Sequence, residues 1–271
     1  MGARGNRAER EPGIVGNDRM GNGLEPVVSA PIPAQGVSIE LDDVCLGFKG
    51  RQVVRNVSGR FSPASMTAIV GPNGAGKSTL IKGIMGVVKP VSGRVHVHGA
   101  QRNDLAWLPQ AGELDRAFPI TVLEMVAMGA WRRSGAWRRM TDEELDRVQH
   151  ALALVGLKGS DHRIVGTLSG GQLQRVLFAR LLMQDAQVLL LDEPFSAVDS
   201  HTTEELMQLL CHWHEQGRSV IAVLHDMDLV HEHFPRSLLL SGEVVAWGET
   251  AEVLTRENLK RARRMRDEQP A

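Results

Sequence analysis

The stretch that decides the fold of this chain is Gly71-Pro72-Asn73-Gly74-Ala75-Gly76-Lys77-Ser78-Thr79, which fits the pattern G-x-x-x-x-G-K-[ST]. A polyphosphate needs several backbone N–H donors converging on its oxygens, and glycine permits the tight turns and close backbone approach that this requires. Lys77 supplies a point charge for the outer phosphates, and the Ser78 hydroxyl can bind Mg²⁺. A helix beginning near Gly76 would add its positive dipole end. The alternative is an ordinary glycine-rich turn.

The flanking sequence favours phosphate binding. Residues 66–70 form a short apolar, partly β-branched run that is typical of a buried strand, and residues 80–85 continue with the apolar spacing of a helix. Strand, glycine loop and helix is the order that phosphate binding demands. The sequence therefore predicts an α/β protein that binds a nucleotide.

Composition narrows the class of protein further. The chain has 271 residues, 42% of them hydrophobic and 23% charged, as in an ordinary globular protein. Its net charge of -1 gives no reason to expect nucleic acid as a partner. The two cysteines, Cys45 and Cys211, form no C-x-x-C pair, which predicts a reduced cytosolic compartment. No apolar stretch approaches the ~20 residues that span a bilayer, so at a membrane another chain would have to cross it.

The patterns along the chain predict three regions between two terminal segments. Residues 1–36, rich in Gly, Pro and charge, are expected to be a disordered N-terminal extension. Residues 37–41 alternate as an edge strand would, and strands at 51–57, 60–61 and 95–98 would complete an antiparallel β region. Residues 119–157 are helical in pattern, and residues 187–245 alternate strands with helices, the signature of a parallel sheet.

Three features of the helical region and one of the tail lead to specific predictions. One apolar stripe comprises Leu145, Val148, Leu152, Val155 and Leu157. Thr141 and Glu144 stand at capping-box spacing before it. The basic, aromatic insert at residues 131–139 is either a solvated loop or a partner-facing surface. Residues 260–266 are expected to continue a solvated terminal helix.

Two carboxylates end the apolar run Val188-Leu189-Leu190-Leu191-Asp192-Glu193. A strand buried on both faces has this composition, and in open parallel sheets ligands bind beyond the carboxyl ends of strands. Asp192 is thus placed to hold Mg²⁺ through a water, and Glu193 to polarise a water that attacks the γ-phosphate. The alternative is that both acids cap the following helix.

A second anion site is predicted at Leu168-Ser169-Gly170-Gly171-Gln172, directly before the helical pattern of residues 173–180. A serine and two glycines at this point leave the first amides of the helix exposed. Alone, these five residues would be a good N-cap and nothing more. One triphosphate needs only one phosphate loop, so the presence of a second anion site needs an explanation.

Together, these motifs resemble the nucleotide-binding subunit of the ATP-binding cassette (ABC) superfamily, from about residue 37 to residue 253. The resemblance implies a P-loop NTPase cassette with a parallel-sheet core, an antiparallel β subdomain and a helical subdomain at about residues 111–180. The ATPase domain would span residues 37–255, followed by a basic tail at 256–271. ATP would bind at residues 71–79, with Mg²⁺ held by Ser78, Gln110 and Asp192.

The resemblance also assigns catalytic roles to Glu193, His225 and Gln110. Gln110 matches the glutamine that links the metal and the γ-phosphate to the helical subdomain. His225, directly after the apolar run 219–224, matches the histidine that contacts the γ-phosphate, although a lone histidine there is ordinarily structural. Phe48 stands where the family often stacks adenine on a tyrosine, and this chain has no tyrosine. Its ring can still stack, the alternative being a core phenylalanine.

The mechanism implied by the family explains the two anion sites. On ATP binding, two copies pair head to tail, so that the ATP on one copy also meets a set of residues of the other: Ser169, Gly170, Gly171, Gln172 and Asp199. Asp199 belongs to the crossing loop Ser196-Ala197-Val198-Asp199. We therefore expect a homodimer that drives integral membrane permease subunits, as a peripheral protein on the cytoplasmic face of the inner membrane.

The cargo is indicated by one segment, Phe118-Pro119-Ile120-Thr121-Val122-Leu123-Glu124-Met125-Val126-Ala127-Met128-Gly129, which looks like the cassette subunits of zinc and manganese importers. We expect a divalent-metal importer, zinc before manganese, with a periplasmic or extracellular metal-binding protein as a further partner. The alternatives are a siderophore-iron or other importer and a soluble non-transport ABC ATPase. The histidine pairs at 96/98, 212/214 and 231/233 lack completing ligands and are expected to be surface residues.

Overall fold

In a computed structural model of the chain, the described residues are Met1, 36–48, 50–101, 104–131, 140–196 and 198–268. Nearly all of the predicted N-terminal extension lies outside them, as does the basic insert from residue 132 to residue 139. The predictions made for those two segments therefore stay predictions.

The described residues form two sheets and a set of helices around them. The strands are β1 (Ser38–Phe48), β2 (Arg51–Phe61), β3 (Met66–Val70), β4 (Ser92–His98), β5 (Leu105–Leu108), β6 (Val188–Asp192), β7 (Ser219–Val223), β8 (Arg236–Ser241) and β9 (Glu243–Glu249). The α-helices are α1 (Lys77–Met85), α2 (Val122–Ala127), α3 (Asp142–Leu154), α4 (Gly170–Gln184), α5 (Ser200–Glu215), α6 (Met227–His233), α7 (Thr250–Val253) and α8 (Arg256–Asp267). Short 3-10 turns occur at Ala111–Glu113, Met128–Ala130 and Val165–Thr167.

The six-stranded sheet positions the candidate site. Its order is β5-β6-β7-β3-β8-β9, parallel except for the hairpin of β8 and β9. The strand before the phosphate loop, β3, is therefore central, and the carboxyl ends of β3, β6 and β7 lie at one edge. Both faces are covered, since Ala68 and Val70 enter one hydrophobic core and Ile69 enters the other. The predicted α/β class with a parallel-sheet core is confirmed.

The second sheet is antiparallel, as predicted, but the details of the prediction were wrong in three places. Its order is β2-β1-β4, so β1 is central and not an edge strand. Ile39 and Leu41 are buried and Glu40 between them is exposed, an alternation that a central antiparallel strand also shows. The predicted strands at 51–57 and 60–61 are one strand, because the irregularity between them is absorbed as a register shift opposite Leu41 and Val44. Strand β4 begins at Ser92, three residues before the predicted start at residue 95.

The helical region follows its sequence pattern with one exception. The capping box of Thr141 and Glu144 is present at the start of α3. Val148 and Leu152 are buried on the predicted stripe, but Leu145 is 38% exposed. It lies in the first turn of α3.

The C-terminal helix α8 is packed on one side, although its sequence predicts a solvated helix. Ala262 is buried, and its carbonyl accepts a hydrogen bond from the Ser241 hydroxyl at 2.7 Å. The basic residues Arg261, Arg263 and Arg264 remain exposed. Within the described parts of the chain, we find no helix with the length and apolarity to cross a membrane.

Candidate nucleotide-binding site

The phosphate loop leaves β3 and ends at the first turn of α1. Gly76 occupies the N-cap position at φ 93°, and Gly74 has φ 78°, a region that favours glycine. A Cβ on Gly71 would lie 2.0 Å from the Leu240 carbonyl oxygen, so only glycine fits there. The amides at the start of α1 have no partner within the helix, which makes this end an anion site.

Lys77 folds back over this loop. Its Nζ donates to the carbonyl oxygens of Gly71 at 3.0 Å and Pro72 at 3.1 Å, and the residue is only 6% exposed. Burial lowers the pKa of the Lys77 ammonium, whereas the nearby charges of Glu193 and Asp192 raise it. Phosphate oxygens would be stronger acceptors than the two carbonyls, so the Lys77 ammonium would donate its hydrogen bonds to them instead.

Asp192, the last residue of β6, is fully buried next to the phosphate loop. Its Oδ1 accepts from the Ser78 hydroxyl at 2.9 Å, and its Oδ2 has no hydrogen-bond partner among the described residues. Burial raises the pKa of Asp192, the hydrogen bond from Ser78 lowers it, and the charge of Glu193 raises it further. A buried carboxylate oxygen without a partner is costly unless something binds it.

The oxygens around Asp192 fit Mg²⁺. This ion prefers oxygen ligands and, in nucleotide sites, is held by one or two carboxylates together with phosphates. The free Oδ2 of Asp192, the Ser78 hydroxyl and the side-chain amide of Gln110 supply such ligands. Among the described residues, no group of three or more His, Cys, Asp or Glu side chains could hold a metal ion. Mg²⁺ at a triphosphate needs no such group, since the phosphates complete its shell.

Glu193 is held between two side chains from distant parts of the chain. Gln110 Nε2 donates to its Oε2 at 2.8 Å, and His225 Nε2 lies 2.8 Å from its Oε1. Glu193 has φ 50°, a conformation that non-glycine residues adopt at a cost of about 1–2 kcal/mol and that clusters at functional sites. The carboxylate is thus fixed directly after the strand end, with both oxygens engaged and 21% of its side chain exposed.

A cavity of about 560 Å³ lies between the phosphate loop and Glu193 with its two partners, and Asp192 does not line it. Its walls are formed by most of the loop and the start of α1, by Val53 of β2, and by a set of side chains from other elements: Gln110, Glu193 and His225. Asn73, Gly74, Gly76, Lys77, Ser78 and Thr79 line it, whereas Gly71, Pro72 and Ala75 do not. Ala75 is buried, and its amide donates to the Pro72 carbonyl at 3.1 Å to close the turn.

Phe48 does not line this cavity. It ends β1, lies opposite Arg51 and is 52% exposed, so it is not a core residue. The wall on this side comes from Val53, which the sequence pattern did not single out. A stacking role for Phe48 would require the base to extend beyond the cavity, and it stays a prediction.

The predicted second anion site lies at the start of α4, apart from the cavity. Ser169 is its N-cap, with the Ser169 hydroxyl accepting from the Gln172 amide at 3.2 Å and the Gln172 side chain accepting from the Ser169 amide at 3.3 Å. A Cβ on Gly171 would meet only Val198 and Asp199 at 3.8 and 3.9 Å, ordinary contacts. Among the described residues, therefore, none demands glycine at 171.

Asp199 caps α5 beside this site. Its Oδ1 accepts from the Thr202 amide at 2.9 Å and its Oδ2 from the Thr202 hydroxyl at 2.8 Å. These bonds lower the pKa of Asp199. Ala197, in the same predicted loop, lies outside the described residues. Arg175 of α4 joins the two helices, because it donates to Thr202 Oγ1 at 3.0 Å and pairs with Glu205.

Two contacts near the cavity were missed by the sequence analysis. Lys82 of α1 forms an ion pair with Glu113, three residues after Gln110. Arg266 of α8 donates to the Asn73 carbonyl in the phosphate loop at 2.8 Å. No spacing in the sequence links the partners, so only the basic character of the tail could have drawn attention to Arg266.

A central parallel strand, a phosphate loop and a buried acid at the end of a nearby strand together define a P-loop nucleoside triphosphatase. Residues 54–196 match the family model described as "ABC transporter". The manganese transport system ATP-binding protein MntB of Bacillus subtilis is 38% identical over 82% of this chain and 91% of its own length. The chain belongs to the ABC transporter ATP-binding family and is an ABC ATPase, which confirms the resemblance.

Two further comparisons agree with this assignment. The zinc transport system ATP-binding protein TroB of Treponema pallidum is 38% identical over 86% of this chain and 89% of its own length. The ATP-binding cassette MJ0796, solved as a dimer in a post-hydrolysis state bound to ADP and Pi, superimposes with a TM-score of 0.70 at 28% identity. That likeness covers 78% of this chain and 98% of the cassette.

Proposed function

We propose that this chain hydrolyses ATP in the cavity at the phosphate loop, with Glu193 as the base that polarises the attacking water. The observation that carries the proposal is the position of the Glu193 carboxylate, which lies on the cavity wall and contacts Gln110 and His225 at 2.8 Å each. A general base needs a fixed position facing the reacting atoms, and these two contacts supply it. His225 would also contact the γ-phosphate, and Gln110 would link the γ-phosphate to the helical region.

Binding of the triphosphate rests on the loop and on Lys77. The amides of Gly74 and of residues 76–79 would donate to the phosphate oxygens, and the Lys77 ammonium would leave the Gly71 and Pro72 carbonyls for them. Ser78, Asp192 and Gln110 would hold Mg²⁺, which neutralises charge on the β- and γ-phosphates when bound. The unpartnered Oδ2 of Asp192 supports this role.

A second copy of the chain would complete the site. The start of α4, with Ser169, Gly170, Gly171 and Gln172, lies outside the cavity of its own chain, so the amides of Gly170 and Gly171 could donate to ATP on another copy. The steric freedom at Gly171 supports an external contact there. Asp199, beside Gly171, would lie at the same interface. ABC cassettes dimerise, as MJ0796 does, and this chain would form a homodimer on binding ATP.

The transported cargo is proposed to be a divalent metal, with zinc favoured and manganese next. The named relatives support this, since MntB belongs to a manganese transport system and TroB to a zinc transport system. The segment at residues 118–129 opens with Phe118, which is 63% exposed. Ile164, which pairs with Thr121 in an isolated β-bridge, is 38% exposed. Each of the two segments that this bridge joins therefore carries an exposed apolar side chain. Such a surface suits integral permease subunits.

The protein would then act as a peripheral subunit on the cytoplasmic face of the membrane, with a periplasmic or extracellular metal-binding protein delivering the cargo to the permease. The test is the zinc, manganese and iron content of chelator-starved cells that carry wild type, Glu193→Gln, or the exposed control Glu252→Gln. A zinc deficit confined to Glu193→Gln is expected. A manganese or iron deficit would reassign the cargo, and unchanged metals would overturn metal import while leaving the ATPase assignment intact.

A further inference from the structure

The C-terminal helix α8 contacts the outer side of the phosphate loop. Arg266 Nε donates to the Asn73 carbonyl oxygen at 2.8 Å, and the two residues are 193 positions apart in sequence. A Cβ built on Gly74 would lie 2.8 Å from a terminal nitrogen of the same guanidinium. The Arg266 side chain therefore lies directly against the peptide that joins Asn73 to Gly74.

The helix that carries Arg266 is held in position. Ala262, one turn earlier on the same face, is 2% exposed, and its carbonyl accepts from the buried Ser241 hydroxyl at 2.7 Å. At the other end of α8, Thr255 caps the helix through the Asn258 amide, and the Asn258 side chain donates to the Val253 carbonyl at 3.0 Å. Arg266 thus reaches the loop from a fixed support.

The geometry of a trans peptide gives this contact a consequence inside the cavity. The described peptides are all trans, so the Asn73 C=O and the Gly74 N–H point in opposite directions. A donor that holds the carbonyl on the outer side turns the amide toward the inner side, where Asn73 and Gly74 line the cavity. Among the described residues, no backbone carbonyl accepts the Gly74 amide. Gly74, at φ 78°, is also free of the Cβ that would stiffen this peptide.

A second contact from the same part of the chain holds the next turn of the loop. Gly242, in the turn between β8 and β9, donates its amide to the Ala75 carbonyl at 2.9 Å. The carbonyls of Asn73 and Ala75 are therefore both engaged by residues that follow β8. The loop is held from outside by the C-terminal part of the chain, while the Gly74 amide is accepted by no described backbone carbonyl.

We propose that Arg266 is a positioning residue for ATP, which orients the Asn73–Gly74 peptide so that the Gly74 amide donates to the bound triphosphate. The proposal rests on the ATP site proposed above. Residues 256–268 are then part of the nucleotide-binding unit, and the ATPase domain extends beyond residue 255. Arg266 does not touch the reacting atoms, so its loss weakens ATP binding while the rate of hydrolysis at saturating ATP is kept.

The experiment compares Arg266→Gln with Arg264→Gln, which removes the same charge from an exposed position of the same helix. Fluorescent ATP-analogue binding, ATP KM, kcat and the Tm of the nucleotide-free protein are measured for each. We expect Arg266→Gln to raise Kd and KM about three- to tenfold, the effect of one charge-assisted hydrogen bond at a partly exposed site. Its kcat should stay within about twofold, and Arg264→Gln should match wild type. Arg266→Lys should recover part of the affinity, since an ammonium can still donate to the carbonyl.

Three results would overturn the proposal: equal affinity in Arg266→Gln and wild type, an equal loss in Arg264→Gln, or a loss of kcat accompanied by a large fall in Tm. The first would remove the contact from ATP binding, the second would reduce it to net charge, and the third would indicate a general structural role. Lys77→Ala distinguishes failure of this proposal from failure of the proposed ATP site on which it rests. If Lys77→Ala abolishes binding and Arg266→Gln does not weaken it, only the role of Arg266 fails. If Lys77→Ala binds normally, the ATP site itself is misplaced.

Discussion

Replacing Glu193 by glutamine should stop hydrolysis while leaving the site assembled. The carboxylate now accepts from Gln110 Nε2 and contacts His225 Nε2, each at 2.8 Å. A glutamine of the same shape keeps both contacts if its oxygen accepts from Gln110 and its NH₂ donates to an unprotonated His225 Nε2. The substitution therefore removes the negative charge and the basicity but keeps the geometry.

The size of the effect follows from the role assigned to the carboxylate. A positioned general base contributes roughly 10²–10⁴ in rate, equivalent to about 2.7–5.4 kcal/mol in the activation free energy. ATP affinity should not fall, because Glu193 is a negative group facing a negative ligand. With turnover blocked, the ATP-bound homodimer should accumulate.

The assay combines steady-state phosphate release, ATP-analogue binding and size-exclusion chromatography in ATP and Mg²⁺. Glu252→Gln, an exposed glutamate of α7, is the matched control and should behave as wild type. A kcat for Glu193→Gln within about threefold of wild type would refute Glu193 as the base. A large loss of ATP binding in the variant would instead assign Glu193 a role in holding the site together.

Three further outcomes follow from the structure. Ser169→Arg should prevent ATP-dependent dimerisation, because it fills the start of α4 with a long side chain, while ATP still binds the monomer; light scattering with ATP checks this, and a normal dimer would contradict the two-copy site. Burial raises the pKa of Asp192, so above its unfolded-state pKa the ionised carboxylate lowers the stability of the folded state, and this loss becomes smaller as the pH falls. Asp192→Asn should therefore raise the Tm of the nucleotide-free protein near pH 7 and abolish Mg²⁺-dependent hydrolysis. A lower Tm would show that the ionised carboxylate does not destabilise the fold. Arg218→Ala should destabilise the fold by about 3–5 kcal/mol, since it leaves the buried Asp185 carboxylate without its ion pair at 3.0 Å; urea denaturation measures this, and a change below 1 kcal/mol would show that the pair is replaceable.

Features set by residues close together in the sequence were predictable. The phosphate loop occupies nine consecutive positions between a strand and a helix, and the start of α1 at Lys77 agrees with the pattern. The capping box of Thr141 with Glu144 was predicted from spacing, and it formed because both partners lie in one helical turn. The apolar run ending at Asp192 is a buried strand with neighbours on both sides for the same reason, since four apolar residues in succession leave no face for solvent.

Features that depend on sheet order or surface coverage were predicted less well. The alternation of residues 37–41 shows that one face is buried, but it does not reveal whether strands pair on one side or on both, so β1 was taken as an edge strand. Leu145 fits the apolar period of α3 but is 38% exposed, since the period of one helix does not show how far its neighbours cover it. The family resemblance predicted that Gln110 and His225 belong to the site, and no spacing in the chain itself would have predicted this.

By itself, then, the sequence determined that this protein has a phosphate loop on a buried strand, a second helix N-terminus with a serine cap, and the ABC family to which both belong. These are local properties, since backbone conformation and capping depend on residues within one turn of each other. Only the tertiary structure decided that Glu193 is held by side chains 83 and 32 positions away, and that Arg266 reaches Asn73 across 193 positions. Such contacts depend on how the strands are ordered and how the helices pack on them, and no period or spacing along the chain encodes that arrangement.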